Sequence, residues 1–123
     1  MSEPDPTAAR ERLQRDYRPA FLRYLSRRDE PGRHAGYVLG RAAVGAGQSV
    51  LDVVAAHHVA LLEVLPEART PDEVLAMSTA AAEFLTEVLA SFSMSGYAAM
   101  AEQLEDAQRE LTVLRTQVTP PAG

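Results

Sequence analysis

The chain has three histidines, and two of them, His57 and His58, are adjacent. Neighbouring helical positions point about 100° apart, so these rings cannot hold one metal ion as an i, i+4 pair can. His58 falls on the apolar stripe of its segment with His57 beside it. That pattern assigns His58 to a packed, hydrogen-bonded core and His57 to a polar boundary. A phosphoacceptor histidine is the sharper alternative, but neither ring is followed by an acid and no lysine completes a transfer motif. The absence of lysine also removes Schiff-base and phosphate-loop chemistry. The absence of cysteine removes thiolate metal sites and disulfides. Glu83 and Glu87, four residues apart, read as a solvated stripe. Gly45-Ala46-Gly47 resembles half of a phosphate cradle, without the strand or lysine that would complete it. The sequence therefore predicts a chain with no catalytic group, no cofactor and no metal.

The elements that position these residues are helical. A chain of 123 residues suits one domain, with a folded surface of about 6,500 Å² if compact. The net charge of −5 argues against a nucleic-acid surface. That charge is uneven: residues 1–41 hold nine arginines against six acids, and residues 42–123 hold three against eleven. No apolar run approaches the 18 or more residues of a membrane span, and the N-terminus lacks a secretory core, which predicts a cytoplasmic chain with no membrane contact.

Leu13, Tyr17, Phe21, Tyr24 and Leu25 form the stripe of a first helix starting near Pro6, capped by Asp5 or Thr7 and bent or divided at Pro19. Asp29-Glu30-Pro31-Gly32 reads as a turn. A second helix fits Arg33 to Ala46, with Gly47 as a left-handed cap. Gly36, Gly40, Ala43 and Gly47 make a small-residue edge for close packing, within one subunit or between two. Ser49 and Asp52 open a third helix whose inward face is Leu51, Val54, His58, Leu61 and Leu65. Thr70-Pro71-Asp72-Glu73 starts a fourth, with Val74, Met77 or Ser78, Ala81, Leu85, Val88 and Phe92 inward and a break or bend at Ser91–Gly96. Tyr97, Met100, Leu104, Ala107, Leu111, Leu114 and Val118 then alternate at spacings of three and four, an a/d seam of three heptads. Such a seam serves either a second copy of the chain or packing inside one subunit. No segment alternates like a strand. The expectation is an all-α bundle of four or five helices with a long C-terminal heptad helix. Its parts are a disordered residue 1–6 segment, a bundle at 7–94, a transmitter helix at 95–118 and a Pro-rich tail at 119–123.

Tyr37 to Arg41, Ser49 to Leu61 and Phe84 to Leu89, followed by Phe92 and Met94, resemble the N-terminal domain of RsbU-type phosphatases, particularly their actinobacterial branch. The matching positions are Arg41 after Gly40, Asp52 after Ser49, the His57-His58 pair, and Phe92 with Met94; the likeness extends over roughly residues 13–118. Ser91 departs from it, standing where the family pattern has proline. The resemblance implies an all-α homodimer similar to the helical domain of the clock protein KaiA. It implies a domain that receives a switch protein of the GHKL-kinase type and thereby controls a serine phosphatase in stress sigma-factor regulation.

Two further readings belong to other classes. One is a small-molecule sensor, with an apolar ligand held between the glycine edge and Thr79–Ala82. The other is an enzyme, which requires His57 or His58 to be accessible in a cleft beside an acid.

Overall fold

The computed structural model describes residues 6–118, which form α1 (Pro6–Arg27), α2 (Glu30–Gly45), α3 (Val50–Val64), a short 3-10 turn (Leu65–Glu67) and α4 (Pro71–Val118). There is no strand among the described residues. Asp5 and the tail at 119–123 lie outside them, whereas Pro6, expected in the disordered segment, is the first residue of α1.

Local chemistry explains most of the boundaries. α1 runs through Pro19 undivided. The ring of Pro19 is exposed, and fully buried Tyr17, Phe21 and Tyr24 on either side hold the helix together across the lost hydrogen bond. α2 begins earlier than expected. The Asp29 carboxylate accepts the Gly32 N–H at 2.9 Å and Pro31 occupies the first turn, so the apparent turn sequence is an N-cap. Only Arg28 and Asp29 separate α1 from α2, and Arg28 takes a left-handed φ of 46° to make the corner. At the far end Gly47 has φ +72°. The Gln48 N–H donates to the Ala43 carbonyl at 2.9 Å and that of Gly47 to Val44 at 3.0 Å, the paired bonds of a left-handed helix stop. Ser49 and Asp52 form a reciprocal capping box for α3. For α4, the Glu73 N–H donates to Thr70 Oγ1, while the Glu73 carboxylate accepts from Arg69 N–H, one residue before the expected cap amide.

α1 packs against all three other helices, and α2 and α4 form the most extensive pair. Tyr17, Phe21, Tyr24 and Phe84 are fully buried, with ring centroids 5.3–6.1 Å apart, and Phe84 meets Tyr17 and Phe21 edge to face. Small residues let α2 reach α4. A methyl at Gly36 would lie 3.3 Å from Phe84, and one at Gly40 would fall on the Val88 carbonyl and within 2.8 Å of the Phe92 nitrogen. Ala43 is buried on the same face. Gly47 does not belong to this edge: its Cβ position is empty, and its role is the left-handed stop.

Two expected faces are rotated. α3 buries Val53, Ala56, His57, Ala60 and Val64, not the stripe through Leu51, Val54 and His58; Leu51 is 75% exposed. Small alanines bring α3 close to α1, and periodicity weighted by side-chain size points to the other side. In α4 the buried set is Ala80, Ala81, Phe84, Val88 and Ser91, with Leu85 and Phe92 half-buried and Val74 exposed. The helix passes Ser91–Gly96 without a break. Ser91 is buried and its hydroxyl donates to the Tyr37 carbonyl at 2.5 Å, so this serine fastens α4 to α2.

Candidate functional site

The two histidines exchange their expected roles. His57 is 8% exposed, and its Nδ1 lies 2.8 Å from the Tyr17 hydroxyl. Burial holds that phenol above its usual range, so it stays protonated and donates to Nδ1. Burial, and then the neighbouring His58, push the His57 pKa down. The ring sits edge-on to Tyr17 and Phe21 at 5.8 and 5.3 Å. A neutral imidazole locked among aromatics can fix α3 on α1. His58 is exposed. No group of three or more His, Asp or Glu able to hold a metal occurs among the described residues.

Glu83 is more than a solvated acid. Its carboxylate accepts from the Tyr24 hydroxyl at 2.7 Å and from the Arg28 guanidinium, and these bonds hold its pKa down. The cluster ties the end of α1 to α4. Beside it lies an open groove of about 640 Å³ lined by Arg33, Ser78, Thr79, Ala82, Glu83, Thr86 and Glu87. The space next to Gly36 and Gly40 is itself filled by Phe84, Val88 and Ser91, where a ligand-sensing core would need room.

The remaining motif residues are dispersed. Asp52 caps α3 and lies 3.7 Å from Arg10. The Arg41 guanidinium sits over the Tyr37 ring at 5.9 Å, on the exposed side of α2. Phe92 packs against the core, whereas Met94 is exposed. These residues do not converge on one pocket.

What does converge is apolar surface. Tyr97 is 81% exposed and Leu104 59%, and Met100, Ala107, Leu111 and Leu114 are exposed as well. They lie on the part of α4 that projects past the bundle, and none rests on another helix of its own chain. α4 is about 70 Å long at 1.5 Å per residue. The chain presents 8869 Å² of surface, well above the roughly 6,500 Å² of a compact chain of its mass. A second exposed row, Leu51, Val54 and Leu62 on α3, is the one that the sequence reading placed inward or left unremarked.

Comparison with known families matches residues 15–95 to the model described as "Phosphoserine phosphatase RsbU, N-terminal domain". The chain belongs to this family. The RsbU N-terminal domain match spans α1 from Arg15 through the bundle part of α4 and stops at Ser95, so the exposed seam lies beyond it. The sequence likeness drawn over residues 13–118 is thus too generous at its C-terminal end. No curated protein and no solved structure matches the chain.

One expectation about membranes needs correction. Over Pro71–Gln117, α4 is long and apolar enough by length and composition to cross a bilayer, because few charges interrupt its alanines and leucines. In the RsbU N-terminal domain the same helix supplies Phe84 and Val88 to the core and Glu83 to Arg28, and 28% of its apolar stretch is buried.

Proposed function

We propose that this chain is a non-catalytic regulatory and dimerisation module of a cytoplasmic partner-switching system. Two copies pair through the seam from Tyr97 to Val118. The paired bundles receive a switch-kinase-type protein and relay its binding along α4 to an output such as a serine phosphatase. In this reading residues 7–94 are the receiver and 95–118 the transmitter. The observation that carries it is the exposed row of Tyr97, Met100, Leu104, Leu111 and Leu114 on a helix continuous with the core. Packing of an apolar row supplies most of a helix's stability in water, so covering this one stabilises the extension. The unbroken passage from Phe84 to Leu114 supports a relay, since any displacement at the bundle moves the seam. Family membership supports the regulatory role.

Light scattering tests the pairing: the expected mass is that of a dimer, and Leu104→Glu or Leu111→Glu halves it. A monomer unaffected by either change overturns the reading. Calorimetric titration with a purified GHKL-type switch kinase from the same organism tests the partner, with saturable binding expected.

A further inference from the structure

The direction in which two copies pair is written in the charges beside the seam. With Tyr97 at an a position, Leu104, Leu111 and Val118 are also a, and Met100, Ala107 and Leu114 are d. The flanking e positions are then Ala101, Gln108 and Arg115, and the g positions Gln103, Glu110 and Gln117. Only one acid and one base lie next to the seam. Every other charge of the extension (Glu102, Glu105, Asp106, Arg109) falls at b, c or f, away from a facing helix. Arg109 is engaged within its own helix, 3.1 Å from Asp106 and 3.9 Å from Glu105. Glu110 and Arg115 have no ion pair among the described residues. They are five positions apart, the spacing at which a g residue meets the following e residue of a parallel partner.

We propose that two α4 extensions pair in parallel and in register, with Glu110 of each copy facing Arg115 of the other. This deepens the dimer reading above and rests on it. An antiparallel pair sets g against g and e against e, which leaves Glu110 and Arg115 opposite the neutral Gln103 and Gln108 or Ala101 and forms no ion pair. The parallel pair forms two, related by the dimer axis. It also brings both bundles to one end and both C-termini to the other, so whatever follows is delivered as a pair.

The chain has no cysteine, so single cysteines report the direction cleanly. Met100→Cys at d and Leu111→Cys at a are made separately and oxidised under mild conditions. Parallel pairing links each variant to itself at high yield. A mixture of the two gives little cross-linking between them, because positions 100 and 111 are about 16 Å apart along the helix, whereas an antiparallel seam sets a against d and links them. Glu110→Arg or Arg115→Glu alone weakens the dimer about fivefold, the size expected for two exposed pairs, and the double swap restores it. Cross-linking only in the mixture, or a double swap that fails to recover affinity in a protein that is still a dimer, overturns the parallel assignment. A wild-type monomer overturns the dimer reading instead.

Discussion

The same helix carries two apolar rows of the same period and treats them oppositely. From Ala80 to Ser91, α4 turns Ala80, Ala81, Phe84 and Val88 onto α1 and α2 and leaves them no solvent. From Tyr97 to Leu114 it repeats the pattern of three and four and leaves each side chain more than half exposed where a large one stands. Periodicity records that a face is meant to be covered. It does not record by what. The lower row is covered because α2 can come within van der Waals range through Gly36 and Gly40. The upper row outlasts every other helix in the chain.

The largest expected effect breaks that contrast at its strongest point. Phe84→Ala removes a ring that touches Tyr17, Phe21 and Tyr24 and leaves a cavity, at a cost of about 3–5 kcal/mol. Thermal unfolding followed by circular dichroism then falls by about 10–20 °C. Leu111→Ala, in the same helix and the same kind of row, leaves the unfolding of a dilute sample nearly unchanged and lowers only the concentration-dependent part. Equal losses at both positions would mean that the extension is packed as the bundle is.

A smaller effect sharpens the comparison within α2. A methyl at Gly40 meets the Val88 carbonyl and the Phe92 nitrogen, both backbone atoms that cannot swing aside. Gly40→Ala therefore separates α2 from α4 and destabilises by about 2 kcal/mol, despite the better helix propensity of alanine. At Gly45, in the same helix, nothing lies within 4 Å of the added atom. Gly45→Ala is neutral or stabilises by up to about 1 kcal/mol. Chemical denaturation of the two variants in parallel measures the difference.

Three helix boundaries were legible because their chemistry is local, although the equally local Asp29 cap read as a turn. Ser49 with Asp52, Thr70 with Pro71, and Gly47 each act within one turn of chain. The faces were less legible. On α3 the larger side chains Leu51, Val54 and Leu62 outweigh Val53, Ala56 and Ala60 in any count of hydrophobicity, yet the alanines lie inward. Close approach to α1 favours small residues, and approach is a tertiary property. The histidine pair failed for the same reason. A ring one position away from the larger residues reads as a boundary until Tyr17, forty residues earlier, supplies its hydroxyl. Ser91 looked like a helix breaker because its partner, the Tyr37 carbonyl, is on another helix. Glu83 is the same case, with Tyr24 and Arg28 as distant partners.

The smallest expected effect separates the two regions by pH. His57 is held neutral in the bundle, its pKa lowered by burial, while an unfolded chain protonates it near pH 6.5. Below that pH the unfolded state binds the extra proton first, so stability falls as pH drops. Glu83 acts lower in the range: its pKa is held down by Tyr24 and Arg28, so its contribution is complete above about pH 4.5 and fades in acid. Two steps in the same direction are therefore expected in a plot of unfolding midpoint against pH. His57→Gln keeps an acceptor for the Tyr17 hydroxyl and removes the titration, so it flattens the plot from pH 6.5 to 5 and leaves the lower step. The extension holds neither group and contributes to neither step. A loss of dimer between pH 6.5 and 5 that persists in His57→Gln would show that the pairing has a pH dependence of its own, separate from the bundle.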